Sequence, residues 1–343
     1  MTLARRCIFR APYDATTELE SLPALTADHL LIASTVSAVS AGTELLFYRG
    51  LVPTDIAVDV SIAGMDTPVT YPLAYGYAAV GVVVAQGPAI TGDWSGRRVF
   101  AFSPHASHFT AAAESVLAIP ADVSDEQAAL LPTLETAVNL VMDAQPLIGE
   151  HVLIFGQGVV GLCITRLLHQ FPLASLTVVD TIPARRDLAL RWGADQALPP
   201  ETLPDAGLHP DLIIEVSSNP AALTAAVRCA PFGARIVVGS WYGTKSVTLD
   251  LGGSYHRNRI QIISSQVSTL DGRFSNRWDK ARRIQVAWSH LAHLPVDDLI
   301  SHRFPIEAAT DAYRLLDRNA AAALQVLFTY PSPSPGHDRP ANP

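Results

Sequence analysis

Between residues 150 and 267 short apolar runs alternate with segments of helical character. The runs fall at 151–155, 176–179, 212–216, 235–238 and 261–264, with 159–169, 183–192 and 221–229 between them. Short, mainly apolar runs of this length suit the strands of a covered sheet, and intervening helices supply the crossovers of a parallel sheet. Pro183 and Pro220 mark helix starts and Gly193 marks a stop, the usual punctuation. This stretch therefore predicts a doubly wound α/β unit. Residues 1 to about 130 read differently. Short β-type runs at 30–36, 79–84, 98–102 and 108–113 are separated by Gly, Pro and Asp, which predicts a compact, irregular barrel. After residue 270 the chain turns helical over 278–293 and 306–317 and closes with a strand at 324–330. The tail PSPSPGHDRPANP, 331–343, is proline-rich and polar, and is expected to be disordered.

Length agrees with two domains, since 343 residues divide into units of roughly 150. With 49% hydrophobic and 16% charged residues the chain can fill two cores. Its 24 Lys+Arg against 32 Asp+Glu leave a net charge of −8, which gives no electrostatic reason to bind nucleic acid. No apolar run reaches the length of a membrane span and none follows the N terminus as a signal peptide would; a cytoplasmic chain with no membrane partner is expected. Cys7, Cys163 and Cys229 form no C-x-x-C pair, so neither a disulfide framework nor a cysteine-built zinc site is specified, and each is expected in a core.

The most specific chemical signal is Gly156-Gln157-Gly158-Val159-Val160-Gly161, set between the first apolar run and its helix. Gly156 permits the tight turn, Gly158 lets main chain approach a pyrophosphate, and Gly161 allows helix and strand to pack closely. The amides of Val159, Val160 and Gly161, at the positive end of the helix, then face the anion. The second run ends at Asp180, where a carboxylate accepts from the adenosine-ribose hydroxyls and repels a 2′-phosphate. That favours NAD, with NADP possible through Arg185 and Arg186, which otherwise form the solvated first turn of the next helix.

With this cradle in place, the flanking segments SAVSAGTELLFYRG (37–50), YPLAYGYAAVG (71–81), GRRVFAF (96–102), LPTLETAVN (131–139) and ISHRFPIEAATDAYRLL (300–316) resemble the medium-chain dehydrogenase/reductase superfamily, the zinc-type alcohol dehydrogenase-like proteins. The resemblance covers about residues 5 to 330. It implies a GroES-like β-barrel catalytic domain (1–131, with 268–330 returning to it) and a Rossmann doubly wound parallel sheet (132–267). It also implies a homodimer through edge strands of the nucleotide domain.

Departures from the family pattern carry as much information. Zinc-dependent members have Cys-Gly-Thr-Asp where this chain has Ala41-Gly42-Thr43-Glu44, and Gly-His-Glu where it has Gly76-Tyr77-Ala78; their last zinc cysteine corresponds to about Pro132. Alanine, tyrosine and proline do not replace thiolate and imidazole, and the four-cysteine structural lobe is missing. The resemblance is thus to a zinc-less subgroup that includes the bacteriochlorophyllide hydroxyethyl dehydrogenases. Without the ion, hydrogen-bond donors and a general acid/base must manage charge at oxygen. The candidates are Tyr77, as a phenol donor or an aromatic filling the vacated cavity, and His105 and His108, as proton carriers or plain loop and core residues. An H-x-x-H pair joined by Glu44 would also be a ligand set, but no metal is expected. Glu44 either serves chemistry or anchors its loop; Glu135 either orients a histidine, meets the nicotinamide ribose, or is structural. By resemblance Thr136 lines the cofactor, while Ser240-Trp241-Tyr242 and Ser265-Gln266-Val267 receive the carboxamide through main-chain groups. His256, Arg257 and Arg259 either meet the pyrophosphate or solubilise a turn.

The leading function is a zinc-independent, NAD(H)-linked oxidoreductase acting on a secondary alcohol or ketone of a small molecule. Phe47, Tyr48, Tyr77, Phe102, Trp241 and Tyr242 suggest an apolar or aromatic substrate, unless they are core. The alternatives are reduction of an activated C=C bond, whose zinc-less practitioners mostly prefer NADPH, and a nucleotide-binding protein without redox turnover.

Overall fold

The computed structural model describes residues 2–57 and 66–331, so all but the first residue of the tail expected to be disordered lies outside the described residues. The chain opens with β1 (Leu3–Ala11), β2 (Asp14–Ser21), β3 (His29–Val39) and helix α1 (Ala41–Tyr48). It continues through β4 (Leu73–Ala74), β5 (Ala79–Gln86), β6 (Arg98–Ala101), β7 (His108–Ala112), β8 (Leu117–Ala118), α2 (Asp125–Ala129) and α3 (Leu131–Ala144). The alternating region gives β9 (His151–Phe155), α4 (Val159–Leu168), β10 (Ser175–Val179), α5 (Pro183–Arg191), β11 (Gln196–Leu198), β12 (Leu212–Glu215), α6 (Pro220–Cys229), β13 (Arg235–Val238) and β14 (Gln261–Ser264). Then follow α7 (Lys280–Leu291), β15 (Ile300–Pro305), α8 (Ala309–Arg318) and β16 (Gln325–Thr329).

These elements form two compact units, 1–132 with 288–343, and 133–287. The first holds a three-stranded sheet, β2-β1-β4, and a seven-stranded one, β15-β16-β3-β5-β6-β8 with β7 also on β3. β3 organises the larger sheet: β5 runs along one edge, while its other edge pairs with β7 over residues 29–33 and with β16 over 36–39. Leu30, Ile32, Val83, Val99 and Phe109 fill the core beneath it. Cys7 N–H donates to the His105 carbonyl and Ser107 N–H to that of Arg5, so pairing continues from β1 into the loop before β7. The β1–β2 hairpin carries no apolar signal because β2 buries only Ala15. In α8 the buried Ala309, Ala312, Tyr313 and Leu316 recur at helical spacing.

The second unit is a six-stranded parallel sheet in the order β11-β10-β9-β12-β13-β14. Leu153, Ile213 and Ile236 pack with Leu223 and Val227 of α6. The unit runs on to Ala287 instead of ending near 267, because Arg283 of α7 donates to Glu135, Asn139 and the Val267 carbonyl inside it. Among the described residues no helix is long and apolar enough to cross a membrane.

All three cysteines are free, and burial pushes their thiols up, Cys163 to about 12 and Cys229 to about 11; Cys7 rises further, with the Glu44 carboxylate adding to burial. A thiolate is the reactive form. Native protein at pH 8 should therefore leave a thiol reagent unreacted while urea-unfolded protein titrates fully; prompt labelling of Cys163 in the native state would contradict this packing.

Candidate functional site

In the second unit β9 runs straight into the glycine turn. Gly156 has φ +96°, and a Cβ there would stand 2.6 Å from the Cα of Ser217. A Cβ on Gly161 would lie 1.9 Å from the Gly156 carbonyl oxygen, so α4 can rest on the turn only as glycine. At Gly158 nothing lies within 4 Å of the Cβ position, which leaves main chain open to a ligand. Gly158 is the N-cap of α4 with no side-chain cap, and the first amides of a helix have no partner within it. Val159 and Val160 are only half-buried there.

Asp180 closes the turn. Its carboxylate accepts from the Gln157 amide at 2.6 Å and the Ile182 amide at 2.8 Å, leaving acceptor capacity for further donors. Beneath it the fully buried Gln157 side chain donates to the Gly156 carbonyl and accepts from Thr165 Oγ1 at 2.9 Å. Arg186 Nη1 donates to the Asp180 carbonyl at 2.7 Å. Arg185 is half-buried; burial lowers its pKa and the charge of Asp180 opposes that.

The loops after β12 and β13 join beside this turn. Glu215, fully buried, accepts from Ser217 N–H and Oγ and from Tyr242 O–H at 2.5 Å. Burial and then Glu215 push the Tyr242 phenol far up, which keeps it a donor. Ser240 Oγ accepts from the Ser218 amide, and the Gln266 side chain folds onto Ser268; both segments thus have their side chains engaged locally. Thr136 is half-buried on α3. Glu135 departs from its catalytic expectation: its Oε1 accepts from Arg283 Nε at 3.1 Å and Nη2 at 2.8 Å, so the carboxylate is already the buried counter-ion of a guanidinium. Glu215 escaped the sequence reading although it ends an apolar strand as Asp180 nearly does.

In the first unit His105, read from the sequence as a proton carrier or a plain loop or core residue, lies in the core. It is 0% exposed, as is Glu44. One ring nitrogen is hydrogen-bonded to Glu44 Oε2 at 3.1 Å and the other to Ser37 Oγ at 2.7 Å, while Phe328 meets the ring edge-on. Glu44 also accepts from the Ser40 amide and from Tyr313 O–H, which fixes its loop-anchoring role. Gly76, at φ +122°, makes room for the ring, since a Cβ there would fall 2.6 Å from His105 Cδ2. Tyr77 and His108 keep partial exposure; Tyr77 meets Tyr75 edge-on, and His108 Nδ1 is 3.2 Å from Ser107 Oγ. Phe47 and Tyr48, expected to line a cleft, are core, stacked on Tyr75 and Tyr313. Among the described residues no three His, Cys, Asp or Glu side chains come together as a metal-ligand set.

Residues 159–284 match the family model described as zinc-binding dehydrogenase. The starvation-sensing protein RspB of Escherichia coli K12 is 27% identical over 225 residues, 64% of this chain and 63% of that protein. D-guloside 3-dehydrogenase of the same strain is 25% identical over 224 residues, 62% and 64% of the two chains. The matches thus span less than two thirds of these relatives. A solved structure named as a short chain alcohol dehydrogenase (rspB) from E. coli CFT073, complexed with NADH, superposes with a TM-score of 0.76 at 20% identity, covering 96% of this chain and all of that one. The chain has the fold of these dehydrogenases.

Removing the His105 imidazole leaves a cavity beside Phe328 and takes from Glu44 one of its three hydrogen-bond partners, a loss of about 2–5 kcal/mol. His105→Ala should lower the unfolding free energy in urea by that amount, and His105→Gln, which keeps a donor and an acceptor, by less. A loss within the ~1 kcal/mol of an exposed pair would contradict the buried arrangement.

Proposed function

We propose that this chain, whose family match and fold support the medium-chain dehydrogenase/reductase superfamily, is a metal-independent NAD(H)-linked oxidoreductase acting on a secondary alcohol or ketone of a small molecule. The observation that carries the reading is the glycine turn, bound to Asp180 and open at Gly158. The amides of Val159, Val160 and Gly161 would hold the pyrophosphate, and the remaining lone pairs of Asp180 the adenosine ribose. When bound, the nicotinamide supplies the donor or acceptor of hydride. Asp180 disfavours a 2′-phosphate by charge, which supports NAD over NADP.

Zinc does not suit the residues present. Ala41, Tyr77 and Pro132 offer neither thiolate nor imidazole, and both ring nitrogens of His105 are committed to Ser37 and Glu44. Tyr77 and His108 are the candidates that retain exposure, and Tyr77 is assigned the proton: its phenol gives a proton to a carbonyl oxygen and is left as phenolate, and in the reverse direction the phenolate takes the alcohol proton. A relative named as a dehydrogenase of a guloside at position 3 supports carbon–oxygen chemistry over alkene reduction. With Phe47 and Tyr48 in the core, a specifically aromatic substrate loses two of its supports.

Calorimetry should show NADH binding more tightly than NADPH. Asp180→Asn should cut that preference by about tenfold or more, the worth of a hydrogen bond to a charged group; a wild type that prefers NADPH would sink the assignment. Steady-state rates on ketone and enone panels decide the bond reduced. Tyr77→Phe should lower kcat by roughly 10² to 10⁴ with NADH affinity unchanged, and an undiminished kcat would remove Tyr77 from the chemistry.

A further inference from the structure

The buried cation of the nucleotide unit has more partners than charge balance requires. Arg283 is 0% exposed. Its Nε and Nη2 donate to Glu135, its Nη1 to Asn139 Oδ1 at 2.5 Å, and Nη2 again to the Val267 carbonyl at 2.6 Å. Asn139 in turn donates to Asp143 at 2.9 Å and to Ser265 Oγ at 3.1 Å, and Ser265 donates to Asp143 at 2.6 Å. Glu135, Asn139 and Asp143, four residues apart, share one face of α3. One guanidinium therefore fastens that face to the main chain at 265–267. A planar fork reaching acceptors on separate elements fixes position in a way a point charge does not.

Residues 265–267 stand just past β14, at the carboxyl ends of the strands, where open parallel sheets bind ligands. Asp180 follows β10, on one side of the turn after β9; β12, β13 and β14 lie on the other. A dinucleotide with its adenosine ribose at Asp180 must lay its second half across the ends of those three strands. The Ser265 amide donates to the Val238 carbonyl, which joins the ends of β13 and β14, and the Gln266 side chain is turned onto Ser268.

We infer that Arg283 is a positioning residue for the nicotinamide half of the dinucleotide, holding the main chain of 265–267 in place through Val267 and the Asn139–Ser265 contact. This placement rests on the dinucleotide reading above. ADP-ribose, which has the adenosine, pyrophosphate and second ribose but no nicotinamide, separates positioning from general stability. Affinities for NADH and ADP-ribose are measured on the wild type, Arg283→Lys and Ser265→Ala. Both variants should bind NADH about tenfold or more weakly, the loss of one strong hydrogen bond, and ADP-ribose as the wild type does. Equal weakening for both ligands, or unchanged NADH affinity, overturns the inference. Where Arg283→Lys does not fold, Asn139→Ala, which removes the acceptor of Arg283 Nη1 and the contact to Ser265, takes its place with the same expected and overturning results. A wild type that binds neither ligand refutes the dinucleotide reading and this inference with it, whereas variants indistinguishable from a binding wild type refute the inference alone.

Discussion

A pyrophosphate reaches peptide amides only where no Cβ stands between them, and the nucleotide unit is built around meeting that condition. Gly158 leaves the approach clear, but the geometry is maintained from below. Gly161 brings α4 onto the turn, Gln157 and Thr165 fill the space beneath, and Asp180 ties the turn to the neighbouring strand. The carboxylate proposed for the ribose is thus also what keeps the turn closed, so recognition and architecture would share one group.

How much of this could be read in the chain depends on the range of the interactions. β9 and β13 have the bounds their apolar runs predict, because central parallel strands bury both faces and need no partner to announce themselves; β14 keeps its predicted bounds at the sheet edge. The β1–β2 hairpin was silent, since Glu18, Glu20 and the arginines of β1 pair across its surface and leave little apolar alternation. His105 with Glu44 and Arg283 with Glu135 are brought together from distant parts of the chain, and composition carries no trace of such meetings.

Some of the missed signal was nevertheless present. Arg283 sits in the basic run KARR, which looks like a solvated face, yet Ala287 and Leu291 follow it at four-residue intervals and are fully buried. Helical phase places Arg283 on that buried stripe. In such a run periodicity, and not charge, decides which residue turns inward. Likewise Glu215 ends a fully apolar strand, where a carboxylate faces the loops of the binding edge, and only its lack of a motif hid it.

Two buried carboxylates, Glu135 beside a guanidinium and Glu44 beside an imidazole, have different consequences for chemistry. Arg283 neutralises Glu135 and then reaches main chain, so the pair organises a ligand-facing segment. Glu44 is saturated by Ser40, Tyr313 and His105, and His105 by Glu44 and Ser37. Recruiting either to a metal or a substrate would break bonds made in a low-dielectric core, where an unpaired charge costs several kcal/mol. The network stabilises its loops from within the core, and from Ser37 Oγ it runs on to the Tyr330 hydroxyl at 2.7 Å. In the proposed reaction the proton is therefore assigned to Tyr77, which keeps partial exposure next to Gly76, over the enclosed ring of His105.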